Sequence, residues 1–202
     1  MTGPSSIVTL EEVQNYLQMA TLPSDNGQQL QLFIDGARVV IEDIVGPVIQ
    51  TVYDEFYDGG NPFITLRRRP VASVTSVTIY LGPVAYPLTQ IATPDQGTLW
   101  SYIYETEGRV VRRGPGGGFI DFPAGLETVQ VVYTAGRTVI PANIKLACLE
   151  LVRHNYQLTQ QAGRPAFQGA AGEDVITPGS GFAIPNRVLD WLEAYKRHPS
   201  LA

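Results

Sequence analysis

Three carboxylates, Asp54, Glu55 and Asp58, fall within one short stretch. Hydrolysis by paired carboxylates needs two such acids facing each other across a cleft. Successive residues of a strand point to opposite faces, so Asp54 and Glu55 cannot make that pair by themselves. Solvated strand ends are the simpler reading. The densest basic run is Arg67-Arg68-Arg69, with Arg109, Arg112 and Arg113 in a later strand region. Such a patch suits phosphates or an acidic neighbour, or it protects an edge strand by charge. Trp100, Tyr102 and Tyr104 alternate as a base-stacking or sugar-stacking platform would. The face of a β-core explains them more simply.

Other stretches exclude more than they support. GPGGG at 114–118 lacks the Lys-Ser/Thr pair that opens the helix of a phosphate loop, and reads as a hairpin tip. The two histidines, His154 and His198, have no second His or Cys at ligand spacing. Ser180 sits between glycines without the strand–turn–helix setting of an esterase elbow. The single cysteine, Cys148, lies in an apolar helical run and reads as a buried small hydrophobe. No catalytic residue, metal site or cofactor is expected, and the chain reads as non-enzymatic.

The elements that must position these residues follow from periodicity. Thr9 and Glu12 stand at capping-box spacing ahead of a short helix over 9–19. A longer helix over about 27–45 carries Leu30, Phe33, Ile34, Ala37, Ile41, Ile44 and Val45 on one face. Leu32, Val39 and Val40 add a second apolar strip, which predicts packing on two sides. Gly46-Pro47 ends it. From about 50 to 134, β-branched and aromatic residues alternate between turn signals, giving about seven strands. TVYDEFY and PFITLRRRP, joined by DGGN, read as a hairpin. The strands are antiparallel by default, because no crossover helices separate them. Pro141 opens a third helix on the order of 30 Å long. Its buried face is Ile144, Ala147, Cys148, Leu151, Val152 and Leu158, and Glu150, Arg153 and His154 lie opposite. Residues 163–183 have no periodicity and are expected to order only on binding. A last helix over 185–198 aligns Val188, Trp191, Leu192 and Tyr195.

The expected fold is therefore α+β: a helical bundle of two N-terminal and two C-terminal helices with an inserted antiparallel β-rich segment. Its parts are 1–48, 49–138, 139–162, 163–183 and 184–202. The chain has 202 residues, 44% hydrophobic, 16% charged, with a net charge of −5. Charge this sparse suggests a surface partly covered by sister subunits. The acidic balance opposes non-specific DNA coating. The N-terminus lacks the pattern of a signal peptide, and no stretch is long and apolar enough to span a bilayer, so a soluble protein of a reducing cytosol is expected.

Four stretches together resemble the head–tail connector, or adaptor, proteins of long-tailed phages. They are LEEVQNYLQM, LQLFIDGARVVIEDIVG, YDEFYDGGNPFITLRRRPVASVTSVTIY and VQVVYTAGRTVIPANIKLACLELVRHNY, covering about residues 9–160. The resemblance implies a homo-oligomeric ring, usually of twelve subunits, beneath the portal protein in the virion neck, assembled in the host cytoplasm. The ring would extend the channel for genomic DNA, without sequence-specific binding, and carry the stopper or tail-completion protein. It involves no membrane. On that reading Val188, Trp191, Leu192 and Tyr195 dock on the portal, while Arg67, Arg68, Arg69 and Arg137 meet DNA or a neighbouring subunit. Two alternatives stay open. One is another assembly role, as tail terminator or capsid-stabilising protein. The other is a monomeric β-domain that binds a glycan or peptide.

Overall fold

A computed structural model describes residues 5–19, 24–105, 108–161 and 184–196. The chain divides into two compact units. One is Gly46–Val139; the other is closed from two separate stretches, Ser6–Val45 and the chain from Ile140 onward.

In the helical unit, α1 spans Leu10–Tyr16, α2 Ser24–Val45, α3 Ala142–Gln161 and α4 Asn186–Glu193. The capping box forms as the spacing predicts: the Thr9 hydroxyl accepts from the Glu12 amide at 3.1 Å, and Glu12 accepts from the Thr9 amide at 2.8 Å. Glu12 also receives Lys145 Nζ at 2.8 Å, which ties α1 to α3. Hydrogen bonds from Lys145 and the Thr9 amide hold the Glu12 carboxyl below the usual range. The core is built from Leu30, Ile34, Ala37, Ile41 and Val45 of α2 against Ile144, Ala147, Cys148, Leu151 and Val152 of α3. Burial pushes the Cys148 thiol up to about 12, so it packs as a neutral side chain. Pro141 stands just before α3, its carbonyl accepting from the Ile144 and Lys145 amides.

The β-unit is a seven-stranded sheet: β1 Thr51–Tyr57, β2 Phe63–Thr65, β3 Val71–Leu81, β4 Val84–Gln90, β5 Ser101–Glu105, β6 Arg109–Arg113 and β7 Val129–Ala135. Their order is β1-β7-β3-β4-β5-β6-β2. β1 and β2 are thus consecutive in the chain yet lie at opposite ends of the ladder. A flat sheet would place them roughly 29 Å apart, at about 4.8 Å per strand. The link from Tyr57 to Phe63 reaches at most about 21 Å, so the sheet must curl. The concave side is filled by Tyr57, Ile64, Leu66, Val77, Ile79, Tyr102, Val110, Phe122, Val131 and Tyr133.

The structure corrects the expected architecture. The class is α+β, but the sheet is mixed, not antiparallel: β4 and β5 run parallel through Thr89↔Ser101 and Gln90↔Tyr102. Residues 91–100, with a 3-10 turn at Pro94–Gln96, carry the chain across without the helix that the antiparallel inference assumed was needed. β1 and β2 do not form a hairpin ladder; β1 pairs with β7 and β2 with β6. Nor do two N-terminal and two C-terminal helices flank a bundle. Only α2 and α3 are long; α1 and α4 have seven and eight residues and are too short for bundle helices. Leu158, expected in the buried face of α3, is exposed.

Candidate functional site

Among the described residues, each unit has a carboxylate gathered in by partners from several elements. In the β-unit, Tyr53, Glu55 and Tyr57 share the inward face of β1 by strand parity. The hydroxyls of Tyr57 and Tyr133 both donate to Glu55 Oε2, at 2.6 and 2.7 Å. The same hydroxyls accept the backbone amides of Arg67 and Arg68, each at 3.1 Å. One carboxylate and two phenols therefore fix the backbone of the arginine run from beneath. The side chains then lie outward along aromatic rings, Arg67 over Tyr57 at 4.7 Å and Arg68 over Tyr53 at 5.6 Å. Arg68 Nε is 3.8 Å from Glu55. Burial first, and then the bond to Glu55, push the Tyr57 phenol up to about 12, and burial pushes Tyr133 up as well.

The acids at 54–58 therefore separate. Asp54 faces outward and accepts from Gln130 Nε2, and Asp58 accepts the Glu127 amide at 2.9 Å. Glu55 is not a solvated strand end, as the sequence reading had it, but the centre of the cluster. The later arginines are held within the unit: Arg112 donates to the carbonyls of Leu99 and Asp121, and Arg113 to that of Gly117. Arg137 is half-buried, its amide bonded to Val48 O at 3.0 Å. The aromatic alternation does not form one platform. Tyr102 is in the core, while Trp100 stacks on Tyr86 at 4.9 Å. GPGGG closes on itself, the Gly114 amide reaching Gly118 O at 2.8 Å and the Gly117 amide reaching Gly114 O at 3.1 Å.

In the helical unit, sequence reasoning missed Glu150. It was placed on the solvent face of α3, yet it is buried. It takes Tyr16 Oη of α1 at 2.9 Å, Arg153 of α3 at 3.0 Å and Arg187 of α4. Burial opposes its ionisation, but the hydrogen bonds of Arg187 and Tyr16 and the two guanidinium charges outweigh that and hold the carboxyl below its usual range. Three helices meet on one carboxylate. Only Arg153 is a local partner, an ordinary pair one turn away on α3, while Tyr16 and Arg187 lie 134 and 37 residues away.

Of the expected docking residues, Val188 and Leu192 are fully buried in the helical unit. Trp191, under the Arg187 guanidinium at 5.5 Å, and Tyr195 are half-exposed. Of the second apolar strip of α2, Val40 is half-buried, while among the described residues Leu32 is 70% exposed and Val39 60%. Gly36 lies between them with open space above it. Residues 163–183, together with Ser180 and His198, lie outside the described residues.

The family model "HCP: Head completion protein" matches residues 6–198. No curated protein matches the chain. Among solved structures, a chain of "Neck of empty GTA particle computed with C6 symmetry" superposes with a TM-score of 0.58 at 18% identity, covering 100% of this chain and 95% of that one. A chain of "Virion of native gene transfer agent (GTA) particle" gives 0.60 at 18% identity, with the same coverage.

Proposed function

The chain belongs to the head completion protein family, and from that premise we propose that it is a neck adaptor, located between capsid and tail. It forms a ring beneath the portal, extends the DNA channel and gives the stopper or tail-completion protein its platform. The observation that carries this reading is the extent of the family match, which takes in both compact units and not a single motif. The likeness to a gene-transfer-agent neck supports it, and a ring of twelve contains the six-fold symmetry named for that particle.

The geometry supplies surfaces for such a part. A closed ring joins one face of each subunit to a different face of the next. The Leu32–Gly36–Val39 stripe of α2 is an apolar face left open for that contact. On α4, Val188 and Leu192 hold the helix to its own unit, so portal docking falls to Trp191 and Tyr195. Arg67, Arg68 and Arg69, with Arg137, meet passing DNA or an acidic neighbour. A net charge of −5 keeps the channel from gripping the polyanion.

Light scattering of the purified chain, alone and mixed with its cognate portal, tests the proposal. The expected result is a complex of fixed ratio that Trp191→Ser weakens and a ring that Leu32→Asp disperses. A chain that stays monomeric and ignores the portal would overturn it.

A further inference from the structure

One face of the β-unit carries an apolar cleft beside the edge strand β2. By the sheet register, Phe63, Val111 and Ile103 stand side by side across β2, β6 and β5. They lie on the face opposite to Ile64, Val110 and Tyr102, which fill the core. Phe119 folds back over that outer face through its bridge to Arg113. The result is a cleft of about 280 Å³ lined by Pro62, Phe63, Glu105, Arg109, Val111 and Phe119. Small-molecule sites run from roughly 300 to 1,000 Å³, so this one has the size for a single large side chain. Both rings stay accessible, Phe63 at 45% and Phe119 at 66%. Each is backed by a guanidinium, Arg109 over Phe63 at 4.9 Å and Arg113 over Phe119 at 4.1 Å.

The backbone beside this cleft is also open. The Arg112 amide bonds to Pro62 O and the Leu66 amide to Gly108 O. In an antiparallel pair these bonded positions alternate. Pro62, Ile64 and Leu66 therefore face β6, and the N–H and C=O groups of Phe63 and Thr65 point to the side where no described strand pairs. β2 is a short edge of three residues, and none of them is a Lys or a Pro. Two arginines stand at the rim against one carboxylate, and the Arg109–Glu105 pair is loose, 3.9 Å between half-exposed groups. Positive charge here, in a chain of net charge −5, selects an acidic occupant.

We propose that this face docks an extended, acidic segment of a partner protein, with one aromatic or branched apolar side chain between Phe63 and Phe119 and a carboxylate on Arg109. Edge addition supplies backbone bonds and the cleft supplies selectivity. The test is fluorescence anisotropy of a fluorescein-labelled Glu-Asp-Val-Phe-Val-Thr peptide titrated with the full chain. Saturable binding is expected, weakened at least tenfold by Phe119→Ser, by Arg109→Gln and by replacing the two peptide acids with lysine. Arg109→Gln alone carries the test if the circular dichroism of Phe119→Ser shows misfolding. Absence of saturable binding, or binding indifferent to these changes, overturns the proposal. So does a self-associated form of the chain that Phe119→Ser dissociates, since the occupant would then be a second copy.

Discussion

Gly136→Ala is the most direct test of the turn that follows β7. Gly136 has φ +131°, a region that side chains rarely adopt. Its amide bonds to Pro70 O at 2.8 Å and the next amide to Val48 O at 3.0 Å, so the backbone cannot rotate away without losing both. A Cβ there would stand 2.6 Å from Gln50 Cα and from Ile49 O, and 2.7 Å from Gln50 N. All three are backbone atoms, which cannot yield as a flexible side-chain tip does. The disallowed dihedral costs about 1–3 kcal/mol. Pushing the Ile49–Gln50 segment aside costs about 1–3 kcal/mol more, as for overpacked cores. The total, about 2–6 kcal/mol, is a large share of the roughly 5–15 kcal/mol that folded chains hold. At about 2–4 °C per kcal/mol for a chain of this size, the melting temperature should fall by about 5–20 °C. Thermal denaturation followed by circular dichroism and by calorimetry reads it directly. A shift under about 2 °C would refute the reasoning.

Three further outcomes follow from the same structure. Gly36→Ala places a methyl in open space in the interior of α2 and should raise the melting temperature by about 2–4 °C, from roughly 1 kcal/mol of helix propensity. Tyr57→Phe removes a hydroxyl shared by Glu55 and the Arg67 amide and should cost about 1–2 kcal/mol, measured by urea denaturation. Because the Tyr57 phenol is raised to about 12, the stability it contributes is present below its ordinary pKa of about 10 and lost as pH rises toward 12; the variant's alkaline denaturation should be correspondingly shallower. Glu150 has the opposite sign. Its carboxyl is held low, so the unfolded chain binds the proton first and the contribution disappears as pH falls below the ordinary carboxylate range. Glu150→Gln should flatten the acid limb of the helical signal near 222 nm, and an unchanged limb would count against the cluster.

Local signals were legible and partner choice was not. The Thr9–Glu12 box and the apolar face of α2 are properties of residues three or four apart, and they appear in the structure as the spacing indicates. The hydrophobic face of α3 was legible up to Val152 and failed at Leu158, where the core has ended. Alternation in residues 50–134 marks strands but says nothing of which strand each one joins, so β1 and β2 were paired wrongly and the parallel β4–β5 contact was not foreseen. The arginine run at 67–69 could be seen, but not the carboxylate beneath it, since Tyr133 comes from a strand 65 residues later than Arg68. Glu150 was misplaced because a carboxylate with Arg153 one turn on reads as a solvated helix pair until Tyr16 and Arg187 arrive from other helices. The second strip of α2 was read as packed, and among the described residues Val40 is half-buried while Leu32 and Val39 are exposed.

The strand order has a consequence for how the chain comes off the ribosome. Among the described residues the only strand paired with β1 is β7, which is also the inner neighbour of β3. β1 therefore emerges with nothing to bond to until about eighty further residues have been made. The helical unit waits longer still, since α2 needs α3 for its core. Neither unit can be completed before β7 has been made. A nascent chain stalled before residue 129 should hold its first strand and first long helix unpaired, as a client for chaperones rather than for assembly. Once β7 is made the β-unit can close, whereas the helical unit waits for α3 and α4, so the two units finish in order along the chain.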